Sequence, residues 1–275
     1  MQGSMLNSLW RLLLPAANVK VVVLGHQKTG TSAIAALLGK KAALEMGNDP
    51  LYAVDQGKAL AVEKLLSSPR SLTLLCHRHP RLFGQPIIKD PDLIFVFSAV
   101  EQIFHHAKFL FVVRDPRDTI RSICNRLDLS GKEVGYCPKR ADMHNGNRHW
   151  ELILSGQLPS LAENANSLSP GHVLNLAIRW NHAAEIYLEN SSKMKLLRYE
   201  DFIIDKEDVI EKTAKGLGLP CTTSIDQFVD VQYQPRGDAT VKWNEFYSAE
   251  NMQLIEEVCG EMMKKFGYQL LNDGI

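Results

Sequence analysis

The sequence predicts an α/β fold: a parallel β-sheet flanked by helices on both faces. Three features predict it. Residues 19–25 and 108–115 ("KFLFVVRD") are apolar at consecutive rather than alternate positions, as strands covered on both faces are. Strand patterns alternate with helical ones along the chain, which implies parallel strands joined by crossover helices. A glycine-bounded turn, "GHQKTGTS" (25–32), separates the first strand from the first helix.

The elements follow in order. After the first strand, residues 31–41 are rich in alanine and leucine and read as a helix. Residues 51–66 carry a helical pattern. "SLTLLC" (71–76) and "QPIIKD" (85–90) are short strand candidates, and 96–106 reads as a helix. Past the strand at 108–115, "DPRDTIRSICNRL" has a helix start written into it. Asp115 caps, Pro116 suits the first helical position and Asp118 favours the positive end of the dipole. Residues 127–149 lack periodicity and are rich in Gly, Asn, Lys and Arg, so they read as a long surface loop or lid over a binding site. A long helix at 173–190, a strand at 193–201, and helices at 209–217 and 249–266 complete the chain. No repeat or linker interrupts it, so residues 1–275 read as one domain.

Bulk properties narrow the function. Thirty-one basic residues balance thirty-one acidic ones, which argues against a nucleic-acid binder working by bulk charge but leaves room for a local basic pocket. Five cysteines stand apart without metal-ligand spacing, as free thiols in a reducing cytoplasm do. The apolar patch at 12–17 is too short to span a bilayer and lacks a signal-peptide pattern, so it reads as a lead-in packed on a cytoplasmic protein.

The turn after the first strand carries the chemistry. Such a loop aims backbone N–H groups into one concavity, and the helix start adds partial positive charge, so an anion is the expected guest. A triphosphate-binding loop has a lysine directly after its second glycine; here Thr31 follows Gly30, and the loop's lysine is Lys28, in its crown. A lysine there can meet a group attached beyond a single cradled phosphate.

"GHQKTGTSAIAALL" resembles the 5′-phosphosulfate loop of sulfotransferases that use 3′-phosphoadenosine 5′-phosphosulfate (PAPS). The resemblance implies a P-loop-like fold in which Lys28 contacts the oxygen bridging phosphate and sulfate. Gln27, Thr29, Gly30, Thr31 and Ser32 would then cradle the 5′-phosphate. A second motif agrees. The family holds the 3′-phosphate with an arginine at a strand end and a serine eight residues on, matched here by Arg114 and Ser122. Arg114 leaves the carboxyl edge of the sheet, where α/β ligands bind, and Ser122 lies about a turn and a half into the next helix. "LLRYEDF" resembles the family's strand ending in Tyr-Glu-Asp and implicates Tyr199. "PRGDATVKW" loosely resembles its C-terminal basic–glycine stretch and implicates Arg236 and Gly237, with Lys242 as a substitute. Core packing accounts equally well for Tyr199, Trp180 and Trp243 taken singly.

The resemblance implies sulfuryl transfer from PAPS to a hydroxyl or amine acceptor, releasing adenosine 3′,5′-bisphosphate without a metal. The expected acceptor is a small molecule, a carbohydrate or a lipid headgroup. The family's cytosolic branch places Lys-Thr-His after the second strand, with histidine as the base; this chain has "IIKDPDL", so Lys89 matches the lysine but Pro91 stands in the histidine's place. Asp90 is the first candidate for the base, against a simpler role as a turn-initiating Asp before Pro; His26 and His144 follow, and His149 borders the long loop. Two other readings compete. A nucleotide kinase or NTPase lacks its post-glycine lysine here, and a non-catalytic module binding adenosine bisphosphate would not need Lys28 and Lys89 together.

Overall fold

The computed structural model describes residues 15–144, 146–156, 171–233 and 240–271. Five strands, β1 (Val21–Gly25), β2 (Met46–Asn48), β3 (Ile87–Lys89), β4 (Lys108–Val113) and β5 (Met194–Arg198), form one parallel sheet in the order β2-β3-β1-β4-β5. The helices are α1 (Thr31–Ala42), α2 (Pro50–Asp55), α3 (Leu60–Ser67), α4 (Ser71–Arg78), α5 (Pro80–Phe83) and α6 (Phe97–Ile103). They continue with α7 (Pro116–Leu127), α8 (Arg148–Leu154), α9 (His172–Glu189), α10 (Tyr199–Ile204), α11 (Lys206–Gly216), α12 (Trp243–Phe246) and α13 (Ala249–Lys265).

The consecutive apolar residues of β1 divide between two cores. Val22 and Leu24 join Phe109, Phe111 and Val113 of β4 under Trp180 of α9 and Ile255 and Met263 of α13. Val21 and Val23 face the other way, with Leu110 and Val112, against Ile34 and Leu38 of α1 and Ile210 and Ala214 of α11. Burial on both faces is the α/β architecture the sequence predicts, and each fully buried Val or Leu adds at most about 1.5–3 kcal/mol. The chain leaves β1 toward β2 on one side and leaves β4 toward β5 on the other. The crevice at the carboxyl ends of β1 and β4 is therefore the sheet's topological switch point, where α/β proteins place ligands.

The structure corrects three local readings and adds a strand the sequence did not suggest. Residues 71–76 are not a strand but the body of α4, because Leu72, Leu75 and Cys76 are buried at helical spacing. The helical stretch at 51–66 breaks into α2 and α3, since Gln56, Gly57 and Ala59 all take left-handed backbone. The strand at 193–201 stops at Arg198, and Tyr199 to Asp201 open α10. The edge strand β2 carries no β-forming signal in its three residues, "MGN", and is held by backbone pairing to β3. Most of the N-terminal lead-in lies outside the described residues.

The long loop is anchored rather than free at its described base. The His172 ring bonds the carbonyls of Tyr136 and Ser130, and Asn251 donates to the carbonyls of Gly131 and Glu133. Helix α8 begins at Arg148, inside the stretch read as loop, with Asn147 capping it by accepting from the Trp150 N–H.

Candidate active site

Four turns meet at the carboxyl edge of the sheet. The loop after β1 is the centre. Gly30 stands at the N-terminal boundary of α1 with φ 94°, and Lys28 has φ 67°, a left-handed conformation that a lysine rarely adopts. Thr29 closes the turn through its hydroxyl, which donates to the His26 carbonyl at 2.8 Å. Thr31 and Ser32 form the first turn of α1, whose N–H groups have no acceptor within the helix.

Arg114 follows β4 and lies beside this loop. Its Nη1 donates to the Lys28 carbonyl at 3.2 Å, its guanidinium lies 4.6 Å from the centre of the Tyr199 ring, and its own carbonyl accepts from Trp180 Nε1 at 2.9 Å. Tyr199, reached from β5, in turn covers Gly30: a Cβ at residue 30 would fall 2.4 Å from Tyr199 Cδ2. Glu200 fastens the two strand ends together, accepting from the Asp115 N–H and from the Tyr268 hydroxyl, both at 2.9 Å. Glycine at position 30 thus answers both a backbone and a packing demand. Gly30→Ala is expected to destabilise the fold by about 1–3 kcal/mol, seen as a lower melting temperature; an unchanged melting temperature would show that the ring yields freely.

Helix α7 starts as predicted, with Asp115 accepting from the Arg117 N–H. Ser122 is half-buried on it, and Arg126 lies four residues on, on the same face. Burial, together with the charges of Arg126, Arg114 and Lys89, lowers the Lys28 pKa to about 8. Four cations therefore converge on one loop. Lys89, at the end of β3 beside Val23, is buried and bonded to Asp49 at 2.7 Å.

Asp90 follows Lys89. It is 1% exposed and accepts the Leu51 N–H on one oxygen and the Asp92 N–H on the other, capping the 3₁₀ turn Pro91–Val96. Burial and the neighbouring charges of Asp92 and Asp49 push its pKa up to about 8. His26 is buried, with Nδ1 against the Gln27 carbonyl; burial and then Arg179 lower its pKa to about 3, so the ring is neutral. His144 is exposed.

A buried carboxylate, which sequence reasoning missed, joins these pieces. Asp92 accepts from Gln27 Nε2 at 2.8 Å and from the Arg179 guanidinium on Oδ1, and meets His149 Nε2 at 2.6 Å on Oδ2. Burial opposes its ionisation, but the charges and hydrogen bonds of His149, Arg179 and Gln27 outweigh it and hold Asp92 well below the usual carboxylate range. Arg179 is fully buried and also lies over the Phe95 ring at 4.1 Å. The available signal was the lone arginine inside the apolar run "LNLAIRWNHAA", which calls for a carboxylate. Of the other candidates, Lys242 is exposed just before α12, and Arg236 and Gly237 lie outside the described residues.

The parallel sheet of this strand order, with a glycine-bounded loop running from its central strand into α1, is an α/β fold of P-loop-like topology. Residues 18–234 match the model of the sulfotransferase domain, and the chain belongs to that family. It is 24% identical over 191 residues to a protein-tyrosine sulfotransferase of Drosophila melanogaster; the match covers 67% of this chain but only 30% of that relative's length. Three solved bacterial sulfotransferases share the fold. The one from Alicyclobacillus acidocaldarius has 13% identity and a TM-score of 0.51, over 92% of this chain and 97% of that one. STF9 of Mycobacterium avium has 14% and 0.54 (91% and 77% covered), and STF1 of Mycobacterium tuberculosis 12% and 0.51 (90% and 76%). Among the described residues no helix is long and apolar enough to cross a membrane.

Proposed function

We propose that the protein transfers a sulfuryl group from PAPS to a hydroxyl or amine acceptor and releases adenosine 3′,5′-bisphosphate. The observation that carries this reading is the set of cations around the first loop, with Lys28 in its crown rather than after Gly30. Membership of the family supports it. The first turn of α1 with Thr31 and Ser32 holds the 5′-phosphate, with Gln27, Thr29 and Gly30 shaping the loop. Arg114 and Ser122 hold the 3′-phosphate, and Tyr199 lies along the nucleotide while fixing the Arg114 fork by stacking. Arg236 and Gly237 are assigned to the same phosphate on the family resemblance alone.

The reaction is an in-line displacement at sulfur. Charge grows on the oxygen between sulfur and phosphorus as that bond breaks, and Lys28 is the residue aimed there. Lys89 adds positive charge from β3 while Asp49 holds its ammonium in place. No lysine follows Gly30 to reach the outer phosphates of a nucleoside triphosphate. Calorimetry separates the readings. Adenosine 3′,5′-bisphosphate should bind at least about tenfold more tightly than ATP with magnesium, a difference of about 1.4 kcal/mol. A preference for ATP would overturn the proposal.

A further inference from the structure

The carboxylate–imidazole pair of Asp92 and His149 is not among the residues assigned above to the donor, and Asp92 lies in the turn after β3, at the same sheet edge. We infer that His149 takes the proton from the acceptor hydroxyl during sulfuryl transfer, with Asp92 as the residue that positions it. The inference rests on the sulfotransferase reading above.

The geometry builds outward from the loop. Gln27 precedes Lys28 and donates to Asp92, and Asp92 accepts from the imidazole, so His149 is one carboxylate away from the loop crown. Asp92 itself is three residues beyond Lys89. The His149 side chain is 13% exposed, whereas Asp92 is 1% and Arg179 0%, so the network runs from a closed interior to an open edge at the imidazole. In the neutral ring, bonding of Nε2 to a carboxylate keeps the hydrogen on Nε2 and leaves the lone pair on Nδ1. The ring is steadied by Tyr52, 5.6 Å away between centres, and its backbone N–H is bonded to the Gly57 carbonyl.

The step balances. A lone pair on the acceptor oxygen forms the new S–O bond, and the S–O bond to the 5′-phosphate breaks with its electron pair left on that phosphate. The acceptor's proton passes to Nδ1 and later leaves to solvent through the exposed edge of the ring. Asp92 stabilises the imidazolium so formed, and Arg179 and Gln27 keep Asp92 ionised while it does so.

Other bases at this edge are less suited. Asp90 is closed off and caps two backbone N–H groups, His26 is buried and too weakly basic, and His144 has no carboxylate behind it among the described residues. The groups facing His149 are Asp92 and Asp90 from the turn after β3, Arg179 from α9 and the Tyr52 ring from α2; Arg148, next to it in sequence, pairs with Glu63 and Glu151. Burial disfavours its charged form, but Asp92 outweighs burial and raises its pKa above the ordinary histidine value. Transfer should therefore speed up as pH rises through that raised value, since only the neutral ring accepts a proton.

The test uses the full chain, sulfur-35-labelled PAPS, and water, small alcohols, phenols and amino sugars as acceptors. His149→Ala should lower turnover by about 10²–10⁴-fold, leave the affinity for adenosine 3′,5′-bisphosphate unchanged and abolish the rising limb of the pH profile. Added imidazole should restore part of the rate. Turnover within about threefold of wild type with the same pH limb would overturn the assignment. So would a loss that imidazole does not relieve and that leaves the limb in place, which marks a structural role only. Wild-type protein that transfers to none of these acceptors and does not bind adenosine 3′,5′-bisphosphate would instead overturn the sulfotransferase reading, and this assignment with it.

Discussion

Lys28→Ala is expected to lower the turnover of sulfuryl transfer by about 10²–10³-fold while changing the affinity for PAPS by less than about tenfold. In intact PAPS the oxygen between phosphorus and sulfur carries little charge, and the charge for which Lys28 is placed develops only as the S–O bond breaks. A residue that only attracted the anionic nucleotide would lose binding and turnover together, and that result would sink the assignment. Two features of the free protein mark Lys28 as costly to keep. It holds a left-handed backbone conformation, and its pKa is lowered to about 8 by burial and by Arg126, Arg114 and Lys89. Alanine keeps the Cβ and so the backbone strain, but it removes the buried charge, so Lys28→Ala should not lower the melting temperature of the ligand-free protein. The lowered pKa has a direct consequence. Near pH 8 about half of the lysine is neutral, and a bound anion draws the proton back, so donor-product binding there should take up a fraction of a proton. Binding enthalpies measured in buffers of different ionisation heat would report that uptake.

The parts of the candidate site that the sequence suggests by itself are those written in local spacing. The loop 25–32, the Arg114–Ser122 pair and the Asp115–Pro116 helix start each occupy a short stretch whose strand–turn–helix context reads directly from hydrophobic pattern. What escaped is what depends on contacts between distant segments. Asp92, His149 and Arg179 are joined across 57 and 87 residues, and no periodicity signals such a meeting. Arg126 escaped for a different reason: on an isolated helix it is an ordinary surface cation, and only the placement of α7 beside the first loop makes it a neighbour of Lys28. The same distinction separates the elements read correctly from those that were not. Strands β1, β3 and β4 are buried on both faces and show it in composition, whereas β2 exists because β3 offers it a backbone edge.

Asp92→Ala is expected to destabilise the fold by about 3–5 kcal/mol, because it strands a fully buried guanidinium. At about 2–4 °C per kcal/mol for a chain of this size, the melting temperature should fall by roughly 6–20 °C. The cost arises from the unpaired Arg179 charge more than from the lost bond itself, since Gln27 and His149 can turn to other partners. Replacing both members is therefore milder than replacing one, and Asp92→Ala combined with Arg179→Met should recover a large part of the loss. A double variant as unstable as the two single losses added together would show that the residues act independently. The pH dependence has a definite sign. The native pKa of Asp92 is held below that of the unfolded chain, so its contribution is complete above about pH 4 and is lost as pH falls further. The gap in stability between wild type and Asp92→Ala should shrink below about pH 4 as Asp92 protonates, and shrink again as pH rises through the raised His149 pKa that Asp92 sustains, which denaturant titrations at several pH values would measure. The same carboxylate thus links the interior of α9 to the imidazole at the sheet edge. That is why its loss should cost both stability and the proton transfer assigned to His149, whereas His149→Ala should cost only the second.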